Sequence, residues 1–136
     1  MKFEGEYLNG KRNGKGKEYD HYGKLIFEGE YLNGERNGKG KEYDYYGKLI
    51  FEGEYLNNQR LNGKIIIYHL KGNIQFEGEY FNGNINGKGK EFNWNGKLEF
   101  EGEYLNGKRW KGKEYFYKDE LKIEREYLNE ECKKLI

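Results

Sequence analysis

The sequence predicts an all-β fold: an elongated, single-layer, twisted antiparallel sheet built from tandem β-hairpins. Three observations carry that prediction. One phrase recurs along the 136-residue chain, starting at Phe3, Phe27, Phe51, Phe76 and Phe100 and, truncated, at Ile123. Self-similarity at a period of roughly 20–50 residues marks stacked supersecondary units rather than a conventional core. Within each copy, apolar or aromatic residues alternate with charged ones, the period-two pattern of a strand with two unlike faces. Each copy also carries reverse-turn dipeptides such as Asn9-Gly10, whose residues tolerate the positive φ of tight hairpins.

The elements follow in order from the first copy. Phe3 to Leu8 alternates as a strand, Asn9-Gly10 turns, and Gly14-Lys15-Gly16-Lys17-Glu18-Tyr19 returns. A second turn around Tyr22-Gly23-Lys24 feeds Leu25-Ile26-Phe27 into the next hairpin. The repeats run 3–26, 27–50, 51–75, 76–99 and 100–122, with a half-repeat cap at 123–136, all in one repeat domain. Charge suggests the register. With Leu8 opposite Asn13, Glu6 faces Lys15, Glu4 faces Lys17, Tyr7 covers Gly14 and Gly5 meets Gly16. Across the repeat boundary Lys17 then faces Glu28 and Lys15 faces Glu30. A tighter two-residue turn slides the partners by two and keeps the faces. One face becomes a ladder of Glu and Lys, each cross-strand pair contributing about 0.2–1 kcal/mol. The other carries a glycine row, Gly5, Gly16, Gly29, Gly40 and Gly53, over which Phe and Tyr rings can lie. Eleven such strands at ~4.8 Å give a sheet ~50 Å long, twisting by ~20–25° per strand, and held by nearest-neighbour contacts.

Composition excludes several classes. Mean hydropathy is -1.22, and no apolar run approaches the ~18 residues of a membrane span. Met1-Lys2-Phe3 enters the first repeat directly, so no signal peptide is expected. The net charge of +1, from 25 basic and 24 acidic residues, argues against a nucleic-acid partner, which asks for a basic surplus. A single cysteine, Cys132, leaves no intramolecular disulfide and suits a reducing, cytoplasmic setting. Ala, Ser, Thr, Val and Pro are all absent, which removes every serine or threonine nucleophile.

The residues FEGEYLNGKRNGKG at 3–16, FEGEYLNGERNGKG at 27–40 and FEGEYFNGNINGKG at 76–89 resemble the MORN (membrane occupation and recognition nexus) repeat, whose unit is similar to Y-E-G-E-W-x-N-G-x-x-H-G-x-G. The likeness covers about residues 3 to 128. Tyr7, Tyr31, Tyr55, Tyr80 and Tyr104 stand where many members have Trp, and Asn13, Asn37 and Asn86 where His is common. The resemblance implies a hairpin-repeat scaffold that binds proteins, sometimes dimerises through a terminal repeat, and is linked to anionic phospholipids.

Repeated residues serve the fold, so candidate sites lie in the exceptions. In the third copy Leu61 marks an insertion, Ile65 stands for a row glycine and Ile66 for a ladder lysine. Ile66 reads either as a partner contact or as local repacking of a strand. The fifth copy lacks a residue and sets Trp110 at a loop tip among cations, a binding anchor or an end cover for the last hairpin. In the last half-repeat Arg125 replaces the row glycine, and a charged tail, 129–136, caps the array or offers a dimer contact. Between hairpins Tyr22, Tyr46, Trp94 and Tyr117 belong to an aromatic rim suited to a protein ligand. Within hairpins Lys11, Arg12, Arg36, Arg60, Lys108 and Arg109 form a basic rim suited to anionic headgroups.

Catalysis finds little support. Glu4 and Glu6 lie ~7 Å apart, within reach of paired-carboxylate chemistry, but recur opposite lysines as structural charges. His21 and His69 are ~19 Å apart along the sheet, too far to share a metal. The Gly-Lys-Gly-Lys runs lack the helix of a phosphate-binding loop. No catalytic residue, metal or cofactor is expected. The expected function is a non-enzymatic protein-binding scaffold. The alternatives are a peripheral membrane module binding acidic phospholipid and an inhibitor or immunity-type partner of one protein.

Overall fold

The computed structural model describes residues 1–134; the last two residues of the expected capping tail lie outside them. The chain is all-β, an open antiparallel sheet of eleven strands hydrogen-bonded in chain order. The strands are β1 (Lys2–Leu8), β2 (Lys11–Tyr19), β3 (Leu25–Leu32), β4 (Glu35–Tyr43), β5 (Leu49–Leu56), β6 (Gln59–Tyr68), β7 (Ile74–Phe81), β8 (Asn84–Phe92), β9 (Leu98–Leu105), β10 (Lys108–Lys118) and β11 (Leu121–Leu128). One short helix, α1 (Glu130–Lys133), follows. Contacts cluster into two compact units, Met1–Lys64 and Ile65–Ile136, and each is described by itself.

The turns form as their residues dictate. Asn9 and Gly10 adopt φ of 52° and 79°, the paired positive values of a two-residue turn whose twist matches the flanking strands. Between hairpins the Asp20 carboxylate accepts from the backbone N–H of Tyr22 at 2.8 Å and of Lys24 at 2.9 Å. Asp44 and Asn93 repeat that local turn.

Both expected registers hold, each over part of a strand. At the centre Glu4 pairs with Lys17 and Gly5 with Gly16, but at the turn Tyr7 pairs with Arg12 and Leu8 with Lys11. Leu8 therefore does not face Asn13, and Tyr7 does not cover Gly14. The tight turn fixes one end and the glycine row fixes the centre, and the surplus residues 13–15 bulge opposite Glu6. Gly14 sits at φ 91° in this bulge, and a side chain there would collide with the Glu6 carboxylate. The bulge recurs with Gly38 and Gly87. Across the repeat boundary the expected pairs Lys15–Glu30, Gly16–Gly29 and Lys17–Glu28 are all present.

In the first unit the core lies on the glycine-row face. A Cβ at Gly40 would come within 2.6 Å of the Phe27 ring and 3.0 Å of Tyr55, so the row is bare because rings occupy it. Phe27 and Phe51 are fully buried, each worth about 1.5–3 kcal/mol relative to exposure. Phe27 meets Tyr55 edge to face, with centroids 5.1 Å apart. A largely half-buried polar seam runs alongside. Tyr31 Oη and Arg36 Nε both donate to Glu18, and Tyr55 and Arg60 converge likewise on Glu42. In the second unit Tyr104 and Arg109 do the same to Glu91, beside a buried Phe100.

Three expectations about the exceptions are corrected. The position opposite Gly53 is kept by Gly63, since a Cβ on Gly53 would meet Gly63 Cα at 2.6 Å. On that side Ile65 does not stand for a row glycine but lies two residues beyond one. Trp110 is within β10 and not at a loop tip. The tip is Asn106-Gly107, and the missing residue shortens the bulge opposite Glu103 instead. Arg125 does not take the row position either. A two-residue Asp119-Glu120 turn shifts β11 so that Gly112 faces Tyr127 and Arg125 faces Glu114. Tyr127 then meets Phe100 edge to face at 5.5 Å. The tail coils into α1, capped by Asn129 and burying Cys132.

Candidate functional site

The face opposite the rings holds the site. Because strand residues alternate, the glutamates and lysines around each row glycine project together on that side. In the first unit they enclose an open groove of about 770 Å³, running across β1 to β5. One wall is Glu4, Lys17, Glu28, Lys41 and Glu52, and the other is Lys15, Glu30, Lys39 and Glu54. The floor is the bare backbone of Gly5, Gly16, Gly29, Gly40 and Gly53.

The walls are not the ion-pair ladder that the register implied. The Glu6 carboxylate accepts the bulge N–H of Lys15 at 2.6 Å, and Glu30 that of Lys39 at 2.8 Å. Glu28 accepts the Tyr43 hydroxyl at 2.6 Å. Burial, that bond and the nearby carboxylates push the Tyr43 phenol up to about 12. With these acids drawn to the backbone and to tyrosine, Lys41 alone among the described groove lysines reaches a carboxylate, Glu52 at 3.5 Å. Exposed Leu8, Leu32 and Leu56 share the strand parity of the wall glutamates and end β1, β3 and β5 at the hairpin turns. Sequence reading missed this row, although its signal was a leucine two places after the second glutamate of every copy but the fourth, where Phe81 stands.

The expected rim residues separate. Tyr22 packs edge to face on Tyr45, and Tyr45 on Tyr46, with Tyr22 and Tyr46 both about four-fifths exposed at 78% and 81%. In the second unit Trp94 stacks on His69 with centroids 4.6 Å apart. Tyr117 donates to the Leu98 carbonyl at 2.6 Å. Ile66 and Trp110 are half-buried.

Most of the basic rim turns inward. Arg12, Arg36, Arg60 and Arg109 lie over Phe3, Phe27, Phe51 and Phe100, at 4.3, 4.1, 5.1 and 4.4 Å from the ring centroids. Three of them also hold the seam glutamates, buried Glu18 and half-buried Glu42 and Glu91. Despite burial, which works against ionisation, the Arg36 and Tyr31 hydrogen bonds keep the Glu18 carboxyl below its ordinary range. Glu42 and Glu91 are held down in the same way by Arg60 with Tyr55 and by Arg109 with Tyr104. Burial and the same bonds push the Tyr31, Tyr55 and Tyr104 phenols up. Of the six expected cations, only Lys11 and Lys108 are exposed, each opening a strand just after a hairpin turn. Among the described residues no group of three or more His, Cys, Asp or Glu side chains is placed to hold a metal, and no helix is long and apolar enough to cross a membrane.

Consecutive hairpins with a ring-and-glycine core on one face and charged side chains on the other define a β-hairpin repeat protein. The MORN repeat model matches residues 3–20, 27–45, 76–97 and 100–110, just over half the chain, and the chain belongs to that family. The third copy, where the insertion at Leu61 and the isoleucines break the pattern, falls outside the match. MORN repeats are modules for protein or membrane interaction. No curated protein matches the chain.

Proposed function

We propose that this protein is a non-enzymatic scaffold that holds a protein partner on the glutamate–lysine face of its first unit. The observation that carries the proposal is the groove: side-chain walls of both signs flank a glycine floor to which a polypeptide backbone can approach closely. Beyond the groove lining, Leu8, Leu32 and Leu56 at the turn ends of β1, β3 and β5 share the parity of the wall glutamates and supply the apolar contacts that a mixed-charge surface lacks. A membrane-binding role draws on fewer groups, because Arg36, Arg60 and Arg109 are engaged with carboxylates and rings.

The test is capture on the immobilised chain, with Leu32→Glu as the groove variant and Lys11→Glu/Lys108→Glu as the turn variant. A partner held by the native chain and the turn variant but lost by the groove variant supports the proposal. A partner kept by the groove variant refutes it. So does co-sedimentation with phosphatidylserine vesicles that the turn variant abolishes.

A further inference from the structure

We infer that the groove accepts an extended segment whose acidic residues recur at every third position with basic residues between them. The inference rests on the docking face proposed above and specifies what lies in it.

Each strand presents one sign on both walls: Lys15 and Lys17 on β2, Glu28 and Glu30 on β3, Lys39 and Lys41 on β4, Glu52 and Glu54 on β5. The groove is therefore crossed by charge bands that alternate strand by strand. Strands stand ~4.8 Å apart, so bands of one sign repeat every ~9.6 Å. Three residues of extended chain cover ~9.9 Å at about 3.3 Å each, and one turn of polyproline II covers ~9.3 Å. These two spacings bracket the band period. An α-helix advances ~1.5 Å per residue and reaches the same distance between its sixth and seventh residues, so its side chains fall out of step.

Charge balance restricts the occupant further. The lining holds four lysines and five glutamates, so a uniformly anionic lipid surface or polyacid meets attraction and repulsion in nearly equal measure. A segment of alternating sign meets attraction at every strand. The ammonium groups of Lys15, Lys17 and Lys39 have no carboxylate within ion-pair distance among the described residues. They are the bands the acids of the segment would meet.

The experiment titrates the full chain into fluorescently labelled peptides and reads anisotropy. The peptides are a fifteen-residue Glu-Gly-Lys repeat, the same composition in blocks, and a Glu-Gly-Gly repeat. The period-three mixed peptide is expected to bind about tenfold tighter than either control, with the margin shrinking in salt. It should disappear in Lys17→Gln/Lys39→Gln, a substitution that removes charge without adding like-sign repulsion, while the thermal midpoint is unchanged. Equal binding of the three peptides, or preference for the uniform acid, overturns the inference. If Leu32→Glu still abolishes capture while the peptides bind equally, the charge period is wrong and the docking face survives. If Leu32→Glu leaves capture intact, both fail.

Discussion

The Arg36 guanidinium lies 4.1 Å from the centroid of the Phe27 ring while its Nε donates to Glu18 at 2.9 Å. One side chain thus lids a fully buried ring and neutralises a carboxylate only 6% exposed. Removing it strips the ring and leaves a buried charge unpaired, the costly way to break such a pair. Arg36→Ala should destabilise the chain by about 2–4 kcal/mol, below the fully buried range because Arg36 keeps some exposure. The double change Arg36→Ile/Glu18→Ile should recover most of that loss, since an apolar pair of similar bulk is often neutral. The sequence of repeat four already carries this exchange: Ile85 pairs with Tyr80 where Arg36 pairs with Tyr31, Ile67 precedes Ile85 by the 18 residues that separate Glu18 from Arg36, and Tyr80 donates to the Gly83 carbonyl instead. Urea denaturation measures both variants, and a double variant no better than the single one refutes the account.

The same seam fixes the pH range of stability. Glu18, Glu42 and Glu91 titrate below their ordinary value of 4.5 in the fold. Their contribution is present above that value and is lost as pH falls through the lower folded one. Tyr31, Tyr55 and Tyr104 are raised, as are Tyr43 and Tyr115, both to about 12. Their contribution is complete below the ordinary value of 10 and is lost as pH climbs through the folded values. The thermal midpoint should be flat between about pH 5 and 9 and fall on both sides. A midpoint that already drifts between about pH 5 and 9 would refute the account.

Glycines of two kinds separate by substitution. At Gly40 a methyl would press on Phe27 and Tyr55, so Gly40→Ala should cost about 3 kcal/mol from overpacking, with no side chain able to rescue it. At Gly34 nothing lies within 4 Å, but φ is +88°. Gly34→Ala should cost about 1 kcal/mol from strain alone, and Gly34→Asn should nearly abolish that cost, because Asn58 holds the equivalent turn position at φ 70°. Equal losses for Gly40→Ala and Gly34→Ala would mean that the rings yield freely.

Much of the fold was legible because it is local. The repeat, the alternation and the Asn-Gly turns state hairpins directly, and the pairing of Gly5 with Gly16 followed from charge and parity alone. Hydrogen-bond competition was not legible. Opposite charges at paired positions predicted a ladder, but the bulge frees backbone N–H groups that take Glu6 and Glu30 from their lysines. Arg36 read as a rim cation because its neighbours in sequence are turn residues, whereas its partners Glu18 and Phe27 lie 18 and 9 positions earlier. The groove itself emerges only when five strands stand side by side.

That competition separates two accounts of the charged face. If cross-strand attraction dominated, Glu30→Ala and Glu54→Ala would cost the same, and both losses would vanish in salt. In the structure Glu30 closes a bulge by accepting the Lys39 N–H at 2.8 Å, while no hydrogen bond or ion pair engages Glu54 among the described residues. Glu30→Ala should therefore cost about 1–2 kcal/mol, the range for losing a charged acceptor at a partly solvated amide. Glu30→Gln should keep most of the bond, and Glu54→Ala should fall within about half a kcal/mol of the native chain. Half-molar salt should leave the Glu30→Ala penalty largely in place, because a short local bond is poorly screened. Guanidinium cannot be used for this measurement, being itself a salt, so urea melts with and without sodium chloride decide it: a penalty that collapses in salt returns the face to a simple charge ladder.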